Sequence, residues 1–103
     1  MIVVSVLYPS SDGAKFDQAY YDATHIPLVK EAFGSTGLKD VLVFKGLPGG
    51  DGAAPLYVAM AHLVFEDVAG LQASMGGPRA GEVMADVARF TNITPVSQIS
   101  THD

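Results

Sequence analysis

The segment Phe16-Asp17-Gln18-Ala19-Tyr20-Tyr21-Asp22-Ala23-Thr24-His25-Ile26-Pro27 holds the densest set of groups able to do chemistry. His25 is its only imidazole. If a new helix starts at Ile26-Pro27, where proline suits the first turn, His25 stands beside a helix N-terminus. The dipole there disfavours imidazolium and leaves a neutral ring, the form a general base or hydrogen-bond acceptor needs. The plain alternative is that His25 only joins two helical pieces. In straight-helix register it even points away from the stripe that begins at Phe16. Asp17 and Tyr21 are four residues apart and can touch on a helix. Either could orient His25 or a ligand, and a partly exposed helix flank is the simpler account of both.

Further polar candidates lie on strands. His62 sits inside an apolar run and shares a face with Met60 and Val64, so it and Met60 could line a cavity and orient a bound molecule. A lone strand histidine is more commonly a satisfied core or wall residue. Tyr8 closes the first apolar run and could present its hydroxyl at a cavity mouth. Asn92 and Gln98 are the polar groups of the last strand, where turn and edge hydrogen bonds explain them equally well. His25, His62 and His102 do not form a metal-ligand spacing, so no metal site is expected. The glycines between Gly46 and Gly52 lack the Lys-Ser/Thr of a phosphate-binding loop and read as a hairpin loop or lid. No Gly-x-Ser-x-Gly elbow occurs.

These groups must be positioned by four strands and two helical regions. Ile2–Tyr8 is a short β-branched run, apolar on both faces, ending at Pro9. Phe16–Phe33 reads as two helical pieces joined at Thr24-His25 and ending at Gly34, with Phe16, Ala19, Tyr20 and Ala23 on the stripe that packs on a sheet. Leu38–Lys45 and Leu56–Phe65 are strands, again apolar on both faces. Asp67–Met75 is a short helix broken at Gly76-Gly77, and Pro78 opens another that runs to about Arg89. Thr91–Ser100 is a last strand, and Pro95 within it argues for an edge position. Thr101–Asp103 reads as a frayed tail.

The order is β-α-β-β-α-β, a ferredoxin-like α+β fold with a four-stranded antiparallel sheet, in one domain over residues 1–103. Helices cover one sheet face. Leaving the other wet forfeits about 25 cal/mol per Å2 of burial, so a second copy packed sheet to sheet, as a homodimeric barrel, is the economical arrangement. Composition agrees. Of the 103 residues 49% are hydrophobic and only 17% charged, which leaves apolar surface for a partner or a small apolar ligand. Lys and Arg total 6 against 11 Asp and Glu, which makes nucleic acid and anionic membrane poor partners. There is no cysteine, so disulfides and thiol chemistry are excluded. No signal peptide or bilayer-length apolar stretch is recognised, and a cytoplasmic location is expected.

The pattern Val4-Ser-Val-Leu-Tyr-Pro9, followed by Phe16-Asp17, Tyr20-Tyr21 and Thr24-His25-Ile-Pro27-Leu28-Val29, resembles the EthD family of dimeric α+β barrels. Tyr57-Val-Ala, His62-Leu-Val-Phe65, Thr91-Asn-Ile-Thr-Pro95 and Gln98-Ile-Ser100 extend the likeness over nearly the whole chain. The resemblance implies the fold more than a reaction. The wider superfamily includes cofactor-free monooxygenases, muconolactone isomerases, polyketide cyclases and haem-dependent enzymes. The family's own namesake is required for ether degradation alongside a cytochrome P450, and fungal relatives decarboxylate or dehydrate aromatic polyketides. The family's His-x-Pro histidine corresponds to His25. No residue matches the superfamily's haem ligand, and no cofactor is implied.

Two functions follow as expectations. One is an enzyme in which His25 is the acid or base and Tyr8, Asp17, Tyr21, Met60 and His62 hold a small apolar, oxygenated or aromatic metabolite. Its chemistry would be proton transfer, in isomerisation, dehydration or decarboxylation, or cofactor-free oxygenation. The other is a non-catalytic protein that binds a hydrophobic metabolite or protects a partner oxygenase. A third reading, an assembly module, needs no cavity at all.

Overall fold

A computed structural model describes residues 1–102. Strand β1 (Ile2–Pro9) leads into a helical rod made of α1 (Gln18–Tyr20), a π-helical turn (Tyr21–His25) and α2 (Ile26–Gly34). Then come β2 (Leu38–Lys45), β3 (Tyr57–Phe65), α3 (Val68–Met75), α4 (Ala80–Asp86), a 3-10 turn (Val87–Arg89) and β4 (Val96–Thr101). The strands form one antiparallel sheet in the order β2-β3-β1-β4. This is the ferredoxin-like βαββαβ fold. The two central strands are β1 and β3, the most apolar runs, and β4 is an edge. Pro95 stands just before β4 rather than inside it, where its missing N–H costs no ladder bond.

The strands alternate as a two-sided sheet requires. Val4, Val6 and Tyr8 of β1 lie opposite Leu63, Ala61 and Ala59 of β3. These residues, with Phe65, pack beneath the helices. The intervening residues Ser5 and Leu7 pair with His62 and Met60 on the other face, which no element among the described residues covers. There Leu42, Phe44 and Val96 are each about half exposed, at 45%, 49% and 53%.

Several boundaries differ from the sequence reading, and the last strand begins at Val96 rather than Thr91. The rod has no break at Thr24-His25, because the π-helical turn absorbs Pro27. Proline removes a donor and presses on the carbonyl four residues back, and the wider turn closes instead from the Ile26 N–H to the Tyr21 carbonyl. The tail is paired further than expected. Thr101 belongs to β4, and the His102 N–H donates to the Met1 carbonyl at 2.9 Å; Asp103 lies outside the described residues.

The turn between α2 and β2 meets α3 at backbone contact. Gly37 has φ +110°, and a Cβ there would stand 3.0 Å from the Gly70 Cα. Both conformation and space exclude a side chain. Gly37→Ala is expected to destabilise the fold by about 1–3 kcal/mol, read as a lower urea midpoint; an unchanged midpoint contradicts this packing.

Candidate functional site

The phase of the first helix is set before it begins. The Asp17 N–H donates to the Phe90 carbonyl at 2.7 Å, and Phe16 pairs with Thr91 as an isolated antiparallel bridge. The Asp17 carboxylate then caps the helix by accepting from the Tyr20 N–H at 3.0 Å. Phe16 is therefore strand-like, and the inward stripe is Tyr21, His25, Ile26, Val29, Ala32 and Phe33. Ala19 and Ala23, expected on that stripe, are exposed. Phe16 precedes the Asp17 cap, so it does not share the register of the helix that follows.

His25 is buried. It does not stand at the start of a separate helix, so the dipole argument made from sequence does not apply. Its position comes from the π-helical turn, a distortion found frequently at functional sites. The imidazole stacks on the Tyr21 ring at 5.6 Å with a 21° tilt and lies 4.6 Å from the Phe90 ring.

The partner of His25 is Asp86, the last residue of α4. His25 Nδ1 lies 2.9 Å from Asp86 Oδ2, and the Tyr20 hydroxyl donates to Asp86 Oδ1 at 2.7 Å. Arg89 Nε is 3.9 Å from Oδ1 and largely exposed. Burial pushes the Asp86 carboxyl up, but the hydrogen bonds from Tyr20 and His25 and the nearby positive charge outweigh it and hold the group below the usual carboxylate range. An ionised carboxylate only accepts hydrogen bonds. Nδ1 therefore carries a proton, and Nε2 is the nitrogen left for a ligand.

His25 forms part of the wall of a cavity of about 240 Å3 between sheet and helices. Val4, Val6, Ala61 and Leu63 give the sheet side; Ile26, Val29 and Phe33 give one helical side; Val83, Met84 and Val87 give the other. The lining is overwhelmingly apolar. Tyr8 and Tyr21 enter it from an aromatic cluster with Phe16 and Phe90.

Of the residues singled out from sequence, His25, Tyr8 and Tyr21 meet at this cavity. Tyr8 is buried in the aromatic cluster rather than at a mouth. Asp17 is exposed and occupied as a helix cap. Met60 and His62 lie on the opposite sheet face, because strand alternation gives the cavity side to Ala61 and Leu63. His62 Nδ1 is 2.8 Å from Ser5 Oγ, and its ring meets the edge of Phe44 at 5.5 Å. Asn92 ties the loop before the helix, accepting from the Lys15 N–H and donating to the Gly13 carbonyl. Asp86 and Tyr20 were missed as site residues. The signal for Asp86 is a carboxylate at the apolar spacing Val83, Asp86, Val87, Phe90, where it must be buried and therefore paired.

The fold and this site define a small α+β protein with a histidine-walled apolar cavity. The family model for the EthD domain matches residues 13–94, and the chain belongs to the EthD family. It is similar to an EthD-like protein from Ralstonia eutropha JMP134, with 40% identity, a TM-score of 0.87 and coverage of 96% of this chain and 88% of that one. An EthD family protein from Bacillus halodurans C-125 is 22% identical, with a TM-score of 0.78 and coverage of 100% and 99%. A dimeric ferredoxin-like protein of unknown function from Thermobifida fusca YX shares the fold at 14% identity and a TM-score of 0.55, with coverage of 98% and 90%. No curated protein matches the chain.

The Asp86 network has a pH signature. Its carboxyl binds a proton less readily in the folded chain than in the unfolded one. Its contribution to stability is thus complete above the unfolded value of about 4 and is lost as pH falls through the lower folded value. Wild-type protein is expected to lose stability in acid more steeply than Asp86→Asn, compared by denaturant titration from pH 7 to 3. Parallel profiles contradict the assignment.

Proposed function

We propose that this protein performs proton-transfer chemistry on a small, mostly apolar, oxygenated or aromatic molecule, with His25 as the acid and base. The observation that carries the reading is the chain Tyr20–Asp86–His25, buried at Asp86 and His25, ending at the wall of an apolar cavity. Asp86 holds the imidazole in one tautomer and steadies the charge it gains on taking a proton, the role a buried carboxylate plays behind a catalytic histidine. The apolar lining keeps competing water away from the transferred proton. Isomerisation, dehydration and decarboxylation all fit this machinery. Cofactor-free oxygenation is compatible with it if the deprotonated substrate is itself the electron donor. Tyr20 and Asp86 are positioning residues, since they act through His25.

The working unit in this reading is a homodimer joined by the uncovered sheet face. Leu42, Phe44 and Val96 are exposed there, and His62 is already paired with Ser5, so a second copy meets an apolar surface with its central polar group satisfied. Light scattering should give about twice the 10.8 kDa chain mass, and Phe44→Asp should shift the protein to the monomer. A monomeric wild type removes this part of the proposal.

Catalysis is tested by proton exchange. In D2O, wild-type protein should speed deuterium uptake at carbon next to a carbonyl in at least one of a panel of small aromatic and alicyclic ketones and lactones, followed by NMR. His25→Ala should lose this activity, and Asp86→Asn should lose roughly 100-fold or more. If His25→Ala exchanges as fast as wild type, His25 is not the base. If panel members bind without exchange, the protein is a metabolite-binding protein instead.

A further inference from the structure

The Tyr21 hydroxyl is buried and has no hydrogen-bond partner among the described residues. Such a group costs about 1–3 kcal/mol when left unmatched, and buried polar groups are overwhelmingly paired. Tyr21 is wholly buried and Tyr8 nearly so, at 0% and 2% exposure, yet both contribute to the cavity wall. Their rings meet edge to face at 5.9 Å. No hydrogen bond occupies the Tyr8 hydroxyl either, among those formed by the described residues.

We propose that the Tyr8 and Tyr21 hydroxyls form a neutral two-donor site for the carbonyl oxygen of a one-ring-sized enolisable ketone held beside His25. The proposal rests on the proton-transfer reading of the same cavity and names its substrate class.

Three observations specify that class. The first is charge. No Lys or Arg lines the cavity among the described residues, so a carboxylate or phosphate would be buried without a counter-ion, at heavy cost. A carbonyl is neutral when it binds and gains negative charge only during reaction. The second is protonation. Burial pushes the Tyr8 phenol up to about 12. Burial, and then the neighbouring Tyr8, push Tyr21 still higher. Both therefore keep their protons at neutral pH and can donate. The third is size. The cavity volume is 240 Å3, while a dry cavity of about 150 Å3 accommodates benzene. One ring with a short acyl group fits.

The step balances without a co-reactant. His25 Nε2 takes the proton from the carbon next to the carbonyl. The C–H electron pair becomes the new C=C bond, and the carbonyl π pair moves onto oxygen, where the two phenols meet the developing charge. The imidazolium then returns the proton to carbon. His25 stacks on the ring of Tyr21, so base and donor are held as one unit.

The probe is acetophenone labelled with 13C at the carbonyl, compared with α-methylstyrene, its isostere without oxygen. Infrared spectra of the wild-type complex should show the carbonyl band at lower wavenumber than in hexane. Tyr21→Phe and Tyr8→Phe should each reverse part of that shift, and the double variant nearly all of it. Acetophenone affinity should fall about fivefold per variant, while α-methylstyrene affinity stays level and confirms that the cavity is intact. A bound band at its hexane position, a shift that survives in the double variant, or no binding of acetophenone overturns the proposal. His25→Ala should keep the shift. A wild type that shows the shift but no deuterium exchange therefore upholds the oxygen site and removes only the proton-transfer reading.

Discussion

A carboxylate buried at the end of a helix is the constraint around which this structure is organised. Asp86 closes α4, where the helix dipole already disfavours negative charge, and it is buried. Removing such a charge from water costs several kcal/mol unless donors replace the water. Tyr20 and His25 supply those donors from the opposite helical rod. The network thus fastens the first helical region to the last one across the chain. It also fixes the histidine that faces the cavity. Stability and site geometry come from the same three side chains.

The rod can supply both donors only because its register is controlled at two points. Asp17 caps it and ties its start to Phe90. The π-helical turn then adds a residue between Tyr21 and Ile26 while Pro27 passes without a clash. As a result Tyr20 reaches Asp86 from one side, whereas Tyr21 and His25 turn inward as a stacked pair. An uninterrupted α-helix carrying a mid-helix proline would have kinked at this place.

The fold was legible in the sequence, because strand runs and glycine breaks each have a local cause. Pro95 marked the last strand as an edge, which β4 is. The site was legible only in part. His25 stood out by chemistry, but its orientation depends on the π-helical turn, and helical periodicity carries no mark of that. Asp86 is 61 residues from His25, so their pairing is a product of topology. His62 and Met60 were drawn into the site by chemistry alone, although the period of two along β3 assigns them to the face away from Ala61 and Leu63. Reading that alternation against the helix side would have separated them.

The two sheet faces therefore serve different ends. One builds the cavity, and the other offers an apolar surface with a single satisfied polar pair. On the cavity side, Asp86 must dictate which imidazole nitrogen of His25 carries the proton. Long-range 1H–15N NMR of the His25 ring at neutral pH measures this directly. A proton held on Nδ1, lost in Asp86→Asn, is the predicted result. A ring protonated at Nε2 alone, or one unchanged by Asp86→Asn, would contradict the account.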